Sequence, residues 1–338
     1  MSRVSSEKDD PLAWLLEEKD PGVRYLALRD LMHLSQRDYE LVAARKKAHN
    51  QGPIVKILTR MNDKGYFVKP GTGYSPKYKS TIWSVILLAQ LGASVKEDER
   101  IKLSCDYLLD HTLTPGGQFC ALASGSPSGT IDCLQGNLCW ALTEMGVDDP
   151  RLKNAYEWMA RSVTGEGVAP ATQKSAPVRY YAYNCGPLFA CGVNGRLPCA
   201  WGGVKIMLAF SRLSRQKQTP LIKKAIHESV EFFLGIDPVT ANYPRGSDAK
   251  PNSSWWKFGF PVFYISDILQ IAEALVGLGY KSDPRLKHLL DFISSKRDGS
   301  GRWLLEHDYP GKTWVDFGSK RKPNKWVTLR ALRVVQAV

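Results

Sequence analysis

The sequence lacks an apolar run long enough to cross a bilayer. Its longest nearly apolar stretch, from Thr81 to Ala93, falls short of the roughly 20 residues a spanning helix needs and carries Ser84 and Gln90. It also lacks a hydrophobic leader: the first ten residues, Met1 to Asp10, are almost all polar, so the chain is expected to stay in the cytosol. Histidine is scarce, with six residues, and cysteine occurs seven times. An odd count in a chain expected to be reduced points to thiols or metal ligands and away from disulfides. Acidic residues are the other shortage. Asp and Glu total 33 against 46 Lys and Arg, a net charge of +13, so an anionic partner has to be considered. With 43% hydrophobic and 10% aromatic residues, the composition excludes a disordered or collagen-like chain and allows a sizeable core.

The chain is organised as repeats of a helix pair. Apolar stretches end at Gly92, Gly146 and Gly279, and each is followed by an amphipathic stretch, twice opened by the same Asp-Pro-Arg-Leu sequence at Asp149 and Asp283. Gly supplies a left-handed helix end, while Asp followed by Pro supplies an N-cap and a first-turn residue whose missing N–H costs nothing. Apolar residues then recur at helical spacing, as in Leu286, Leu289, Leu290 and Ile293, or Ile226, Val230, Phe233 and Leu234. This predicts an all-α chain of helical repeats. Residues 1–50 differ: Asp20 to Leu31 reads as a HEAT-like helix with Val23, Leu26, Ala27 and Leu31 on one face, forming a short N-terminal helical cap on a domain over 51–338. Arg24 and Arg29 are expected on its solvated face.

Several second helices close in a Gly-rich turn followed by an aromatic: Asn62 to Phe67, Pro115 to Phe119, and Arg297 to Trp303. Helices closed by such turns resemble the degenerate repeat of the squalene-cyclase and protein-prenyltransferase superfamily. The stretches at Gly73–Tyr78, Cys133–Asn137, Trp256–Pro261 and Lys322–Leu329 are similar to its bacterial squalene-cyclase-like branch. The resemblance covers residues 50 to 338 and implies an α/α toroid, an inner ring of parallel helices around a cavity with an outer ring running back.

Inner helices starting near Thr81, Cys133, Cys199, Pro261 and Asn324 would place the segments before them, 68–80, 119–132, 170–198, 242–260 and 304–325, at one mouth of that cavity. Helix N-termini and their partial positive charge would face the same side. These segments hold 14 basic and five acidic residues, so +9 of the net +13 is expected on one face. They are also rich in aromatics. The candidate ligand-binding residues are Lys77, Tyr78, Arg179, Trp256, Tyr264, Trp314, Lys320, Arg321, Lys322 and Trp326. An aromatic cavity under a cationic mouth suits an amphiphile with an anionic head, such as a prenyl diphosphate or acidic lipid, with peripheral membrane contact allowed. Nucleic acid is disfavoured as a partner, because no recognised nucleic-acid module is present.

Cys185, Cys191 and Cys199 follow a C-x5-C-x7-C pattern, and Cys133 opens the neighbouring inner helix. Four such thiolates would make a tetrahedral structural zinc site. An iron–sulfur cluster, buried apolar thiols and a catalytic nucleophile are the alternatives. Cys105, Cys139 and Trp158 are expected in the core.

The family's two chemistries do not transfer residue by residue. The D-x-D-D acid of the cyclases is missing: Glu7 to Asp10 lies in the tail, and Asp148 and Asp149 form a helix-joining turn. The Asp-x-Cys pair and His of the prenyltransferase zinc site have no counterpart, since Asp132 and Cys133 are adjacent. The remaining candidate acids are Asp267, two turns into an inner helix if that helix starts near Pro261, and Asp132 at the mouth. The resemblance therefore implies either an enzyme of isoprenoid transfer or cyclisation or a binding toroid that has lost the chemistry.

Overall fold

A computed structural model describes residues 10–122, 129–167, 185–246 and 250–338. The chain is all-α: α1 (Pro11–Leu15), α2 (Pro21–Asp30), α3 (Tyr39–Asn50), α4 (Pro53–Leu58), α5 (Thr81–Gln90), α6 (Glu99–His111), α7 (Asp132–Glu144), α8 (Arg151–Thr164), α9 (Ala200–Arg212), α10 (Pro220–Leu234), α11 (Ile268–Gly277), α12 (Lys287–Ser295) and α13 (Lys325–Val335). A two-stranded antiparallel hairpin, β1 (Ala190–Cys191) and β2 (Leu197–Pro198), precedes α9. Among the described residues no helix is long and apolar enough to cross a membrane.

The helices fall into two kinds. Every residue of α5 from Thr81 to Ala89 is buried, whereas α6, α8, α10 and α12 bury one face and show the other to water. The enclosed helices α5, α7, α9, α11 and α13 contact one another in chain order, and α13 packs on α2. Outer helices follow on the far side, with α8 against α7 and α10 against α8. The contact between α7 and α9 is the most extensive, and its closeness depends on small residues. A Cβ at Gly136 would lie 2.4 Å from the backbone of Lys205, and one at Gly202 would lie 3.3 Å from the Cβ of Asp132.

The joints follow the sequence. Gly92, Gly146 and Gly279 take the left-handed conformation after α5, α7 and α11. Asp149 and Asp283 accept the backbone N–H of Arg151 and Arg285, and each Arg side chain folds back onto the same carboxylate. The Gly-rich turns are built alike. Asn62, Thr114 and Asp298 each receive a turn hydrogen bond from the N–H of Gly65, Gly117 and Gly301. The aromatic that follows, Phe67, Phe119 or Trp303, is fully buried. Its N–H donates to a side-chain oxygen of the next enclosed helix, Thr81 Oγ1, Gln135 Oε1 or Thr328 Oγ1. Each turn thereby fixes the end of one helix pair to the start of the next.

One helix start differs from expectation. The chain from Pro261 to Ser266 is not helical, and α11 begins at Ile268 with Asp267 as its N-cap in a capping box with Gln270. The other four starts, at Thr81, Asp132, Ala200 and Lys325, fall within a residue of those expected.

Candidate functional site

Two cavities lie at opposite ends of the enclosed helices. The first, of about 300 Å³, is lined by residues of α2, α5, α7, α9, α11 and α13, including Arg29, Glu144, Arg212, Glu273, Arg330 and Arg333. These charges are paired. Glu144 receives Arg29 and Arg212, each at 2.9 Å, and Asp30 receives Arg29 at 2.6 Å and Arg333 at 2.5 Å. Burial opposes ionisation of both acids, but the neighbouring arginines win, holding Glu144 below its ordinary range and Asp30 at about 2. Arg29 is therefore a cavity residue and not part of a solvated face. Arg24 instead ties α2 to α3 by pairing with Glu40.

Beneath this lattice lies a second buried group. Arg330 donates to both oxygens of Asp267 at 3.0 Å, to Glu273 at 2.8 Å and to the carbonyl of Gly259 at 2.7 Å. Lys205 on α9, fully buried, donates to the carbonyl of Ile265 at 3.1 Å and to Gln270 Oε1 at 2.9 Å. Burial pushes its ammonium down to about 7, with Asp267 pulling the other way. Asp267, expected in mid-helix as a general acid, is thus a helix cap locked in an ion pair. Its carboxylate is consumed by structure.

The second cavity, of about 770 Å³, opens where α7 and α9 begin. Its walls come from the segments before α5, α9 and α11 and from the first turns of α7 and α9: Tyr74, Lys77, Trp201, Tyr243, Arg245, Lys250, Trp255 and Tyr264 stand around Cys133, Cys191 and Cys199. Tyr264 donates to Tyr74 at 3.0 Å, and Lys77 Nζ sits over both rings, 5.8 Å from Tyr74 and 5.3 Å from Tyr264. Asn194 stitches the rim: its amide donates to the carbonyls of Pro198 at 2.9 Å and Pro244 at 3.0 Å. Gly195 and Gly246 meet where a Cβ on the former would lie 2.8 Å from the latter.

Of the expected ligand-binding residues, the structure brings Lys77 and Tyr264 into this pocket. Tyr78 packs against Trp83, Phe263 and Tyr309. Trp256 and Trp314 donate their indole N–H to Val239 and Ser84, at 2.8 and 2.9 Å. Trp326 stacks on Phe260 in the core at 4.6 Å. Lys320 pairs with Asp308 at 2.9 Å, and Arg321 and Lys322 are exposed away from the pocket lining. Arg179 lies outside the described residues. Arg245 and Lys250 belonged to the counted mouth charges and do line the pocket. Lys205 and the arginine–carboxylate lattice were missed. The signal for Lys205 was a single cation inside the apolar run from Val204 to Phe210.

None of the seven cysteines is in a disulfide. Cys105 and Cys139 are core residues, as expected, and so is Trp158. Cys133, Cys191 and Cys199 line the pocket together, while Cys185 is buried in the hydrophobic core and does not line it. Among the described residues no group of three or more His, Cys, Asp or Glu side chains is placed to hold a metal ion. The four-thiolate zinc or iron–sulfur expectation therefore gains nothing from the geometry. The neighbouring Cys199 thiol, with the backbone N–H groups of Val193 and Asn194, outweighs burial and holds Cys191 below its ordinary range. The influence of Cys191 and burial push Cys199 the other way, above its ordinary range. Burial and the adjacent Asp132 push Cys133 up to about 12.

Asp132 is the first residue of α7, behind the wall that carries Cys133. It is 2% exposed, and its Oδ2 accepts no hydrogen bond. Burial, reinforced by Cys191, raises its carboxyl well above the ordinary range. No protein-family model and no curated protein matches the chain.

Proposed function

We propose that the six cavity-lining helices close as an α/α ring and that the protein binds an anionic-headed amphiphile, such as a prenyl diphosphate, in the pocket where α7 and α9 begin. One observation carries this reading: a single pocket of about 770 Å³ combines three cations, Lys77, Arg245 and Lys250, with the aromatic rings of Tyr74, Trp201, Tyr243, Trp255 and Tyr264. The volume falls in the range of small-molecule sites. The helix starts add N–H groups and partial positive charge for a diphosphate, while the rings offer apolar faces to a tail. The deeper cavity, with its charges already paired, offers no such surface.

Isoprenoid transfer or cyclisation is the chemistry this reading extends to, and Asp132 is the acid it assigns. Burial raises the proton affinity of this carboxyl beside the pocket, the direction in which general acids are tuned. The test is tryptophan fluorescence, since Trp201 and Trp255 stand in the wall. Farnesyl diphosphate should bind more tightly than inorganic diphosphate or farnesol alone. Asp132→Asn should keep that binding and abolish product formation if the protein is an enzyme. No response to any of the three, with salt-sensitive binding of RNA or DNA instead, would overturn the reading.

A further inference from the structure

Cys191 and Cys199 sit on the same face of one hairpin. Cys191 pairs in register with Leu197, and side chains alternate along a strand, so the residue two beyond Leu197 returns to the same side, diagonal to Cys191. The N–H of Cys199 donates to the carbonyl of Phe189 at 3.2 Å, holding it against the start of β1, and the N–H of Arg196 returns to the Cys191 carbonyl at 2.8 Å. The backbone around the pair is held in unusual conformations: Leu188, Phe189 and Arg196 have φ values of 46°, 64° and 63°. The ring of Phe189 is fully buried against Gly203 and Phe233, which fixes this geometry from beneath. Both residues line the pocket, and each perturbs the other's titration. Cys133 stands in the same wall, with Asp132 behind it.

We infer that Cys191 and Cys199 form a redox-active thiol pair that reduces a hydroperoxide, Cys191 being the attacking sulfur and Cys199 the resolving one. The Cys191 thiolate attacks the terminal peroxide oxygen. An S–O bond forms and the O–O bond breaks, the sulfur is oxidised to the sulfenic acid, and the alkoxide or hydroxide leaves and takes a proton from water. The Cys199 sulfur then attacks the sulfenic sulfur. An S–S bond forms, the S–O bond breaks, and hydroxide departs as water with the Cys199 proton. The net change converts one hydroperoxide and two thiols to one alcohol, or water from hydrogen peroxide, plus one water and a disulfide. An external dithiol restores the pair by exchange. The inference rests on the pocket but not on which amphiphile fills it.

The experiment treats the full-length protein at pH 7 with one equivalent of hydrogen peroxide and maps its peptides without reduction. The expected result is a Cys191–Cys199 disulfide, loss of two titratable thiols, recovery of both with dithiothreitol, and unmodified Cys105 and Cys139. Cys199→Ser should stop at a sulfenic acid on Cys191 that dimedone traps. If that variant fails to fold, the wild-type protein still decides, because dimedone present during oxidation should compete for Cys191 and lower the disulfide yield severalfold. A bridge from Cys191 to Cys133, oxidation spread without any bridge, or no thiol loss would overturn the assignment. So would stoichiometric zinc that protects Cys133, Cys191 and Cys199 from alkylation. Failure of farnesyl diphosphate to bind would leave these outcomes unchanged, so the two readings fail separately.

Discussion

Replacing Lys205 by methionine should change how stability depends on pH more than it changes stability at any one pH. The lysine is fully buried, and burial lowers its ammonium from 10.5 to about 7. The unfolded chain therefore binds one more proton than the native state between those two values, so stability rises with pH across that window. The native protein is penalised below pH 7, where the charge is buried, and the penalty fades as the amine becomes neutral. At 1.36 kcal/mol per unit, the full window amounts to ~5 kcal/mol, and the part between pH 7 and 9 to ~2 kcal/mol. Lys205→Met keeps the chain's volume but loses this term, along with hydrogen bonds to Ile265 and Gln270 whose cost is nearly independent of pH. Urea unfolding of both proteins, under reducing conditions at pH 6, 7, 8 and 9, measures the difference. The wild type should gain ~2 kcal/mol on the variant between pH 7 and 9. Curves that stay parallel would refute the buried, depressed lysine.

Arg330→Met should cost about 3–5 kcal/mol in the same assay at pH 7, because it leaves Asp267, 1% exposed, without its cation. Gln135→Leu should cost about 2–4 kcal/mol, since the Phe119 N–H and the carbonyls of Gly117 and Ala155 all lose their partner; a loss below 1 kcal/mol would mean that the Gly-rich turn does not hold the helix pairs together. Gly136→Ala should destabilise by at least ~2 kcal/mol, as its Cβ would meet Lys205 backbone at 2.4 Å and force α7 from α9; a thermal midpoint equal to wild type would contradict that contact.

Local signals in the sequence translated well into structure. Gly92, Gly146 and Gly279 end helices in the left-handed conformation because a residue without Cβ reaches it at no steric cost, and Asp149 and Asp283 cap because a short carboxylate reaches the next N–H. The start of α11 was misplaced because Pro261 carries a helix-start signal, while Asp267 with Gln270 three residues later carries a stronger one, the capping box. The site was legible only in part. Gathering cationic loops near one end placed Lys77, Arg245 and Lys250 correctly, but charge alone did not reveal that Lys320 would pair with Asp308 and Lys325 with Glu17 and Asp20. Aromatic content misled in the same way: Trp326, Trp256 and Tyr78 have the composition of a ligand site but fill core or hydrogen-bond to backbone. The cysteine spacing drew attention to the right segment. Register then decided which cysteines share a face of the hairpin, placing Cys191 diagonal to Cys199, while Cys185 lies in the core.

The measurement that bears most directly on the pocket is calorimetric titration of farnesyl diphosphate into the wild-type protein and into a Lys77→Glu/Lys250→Glu variant. Both lysines are exposed at the pocket rim, so the variant should fold as the wild type does. Saturable binding to the wild type and a loss of affinity of at least ~10-fold in the variant, about 1.4 kcal/mol, is the expected result. Equal affinity in both proteins, or no binding to either, would contradict an anion-binding mouth at the start of α7 and α9.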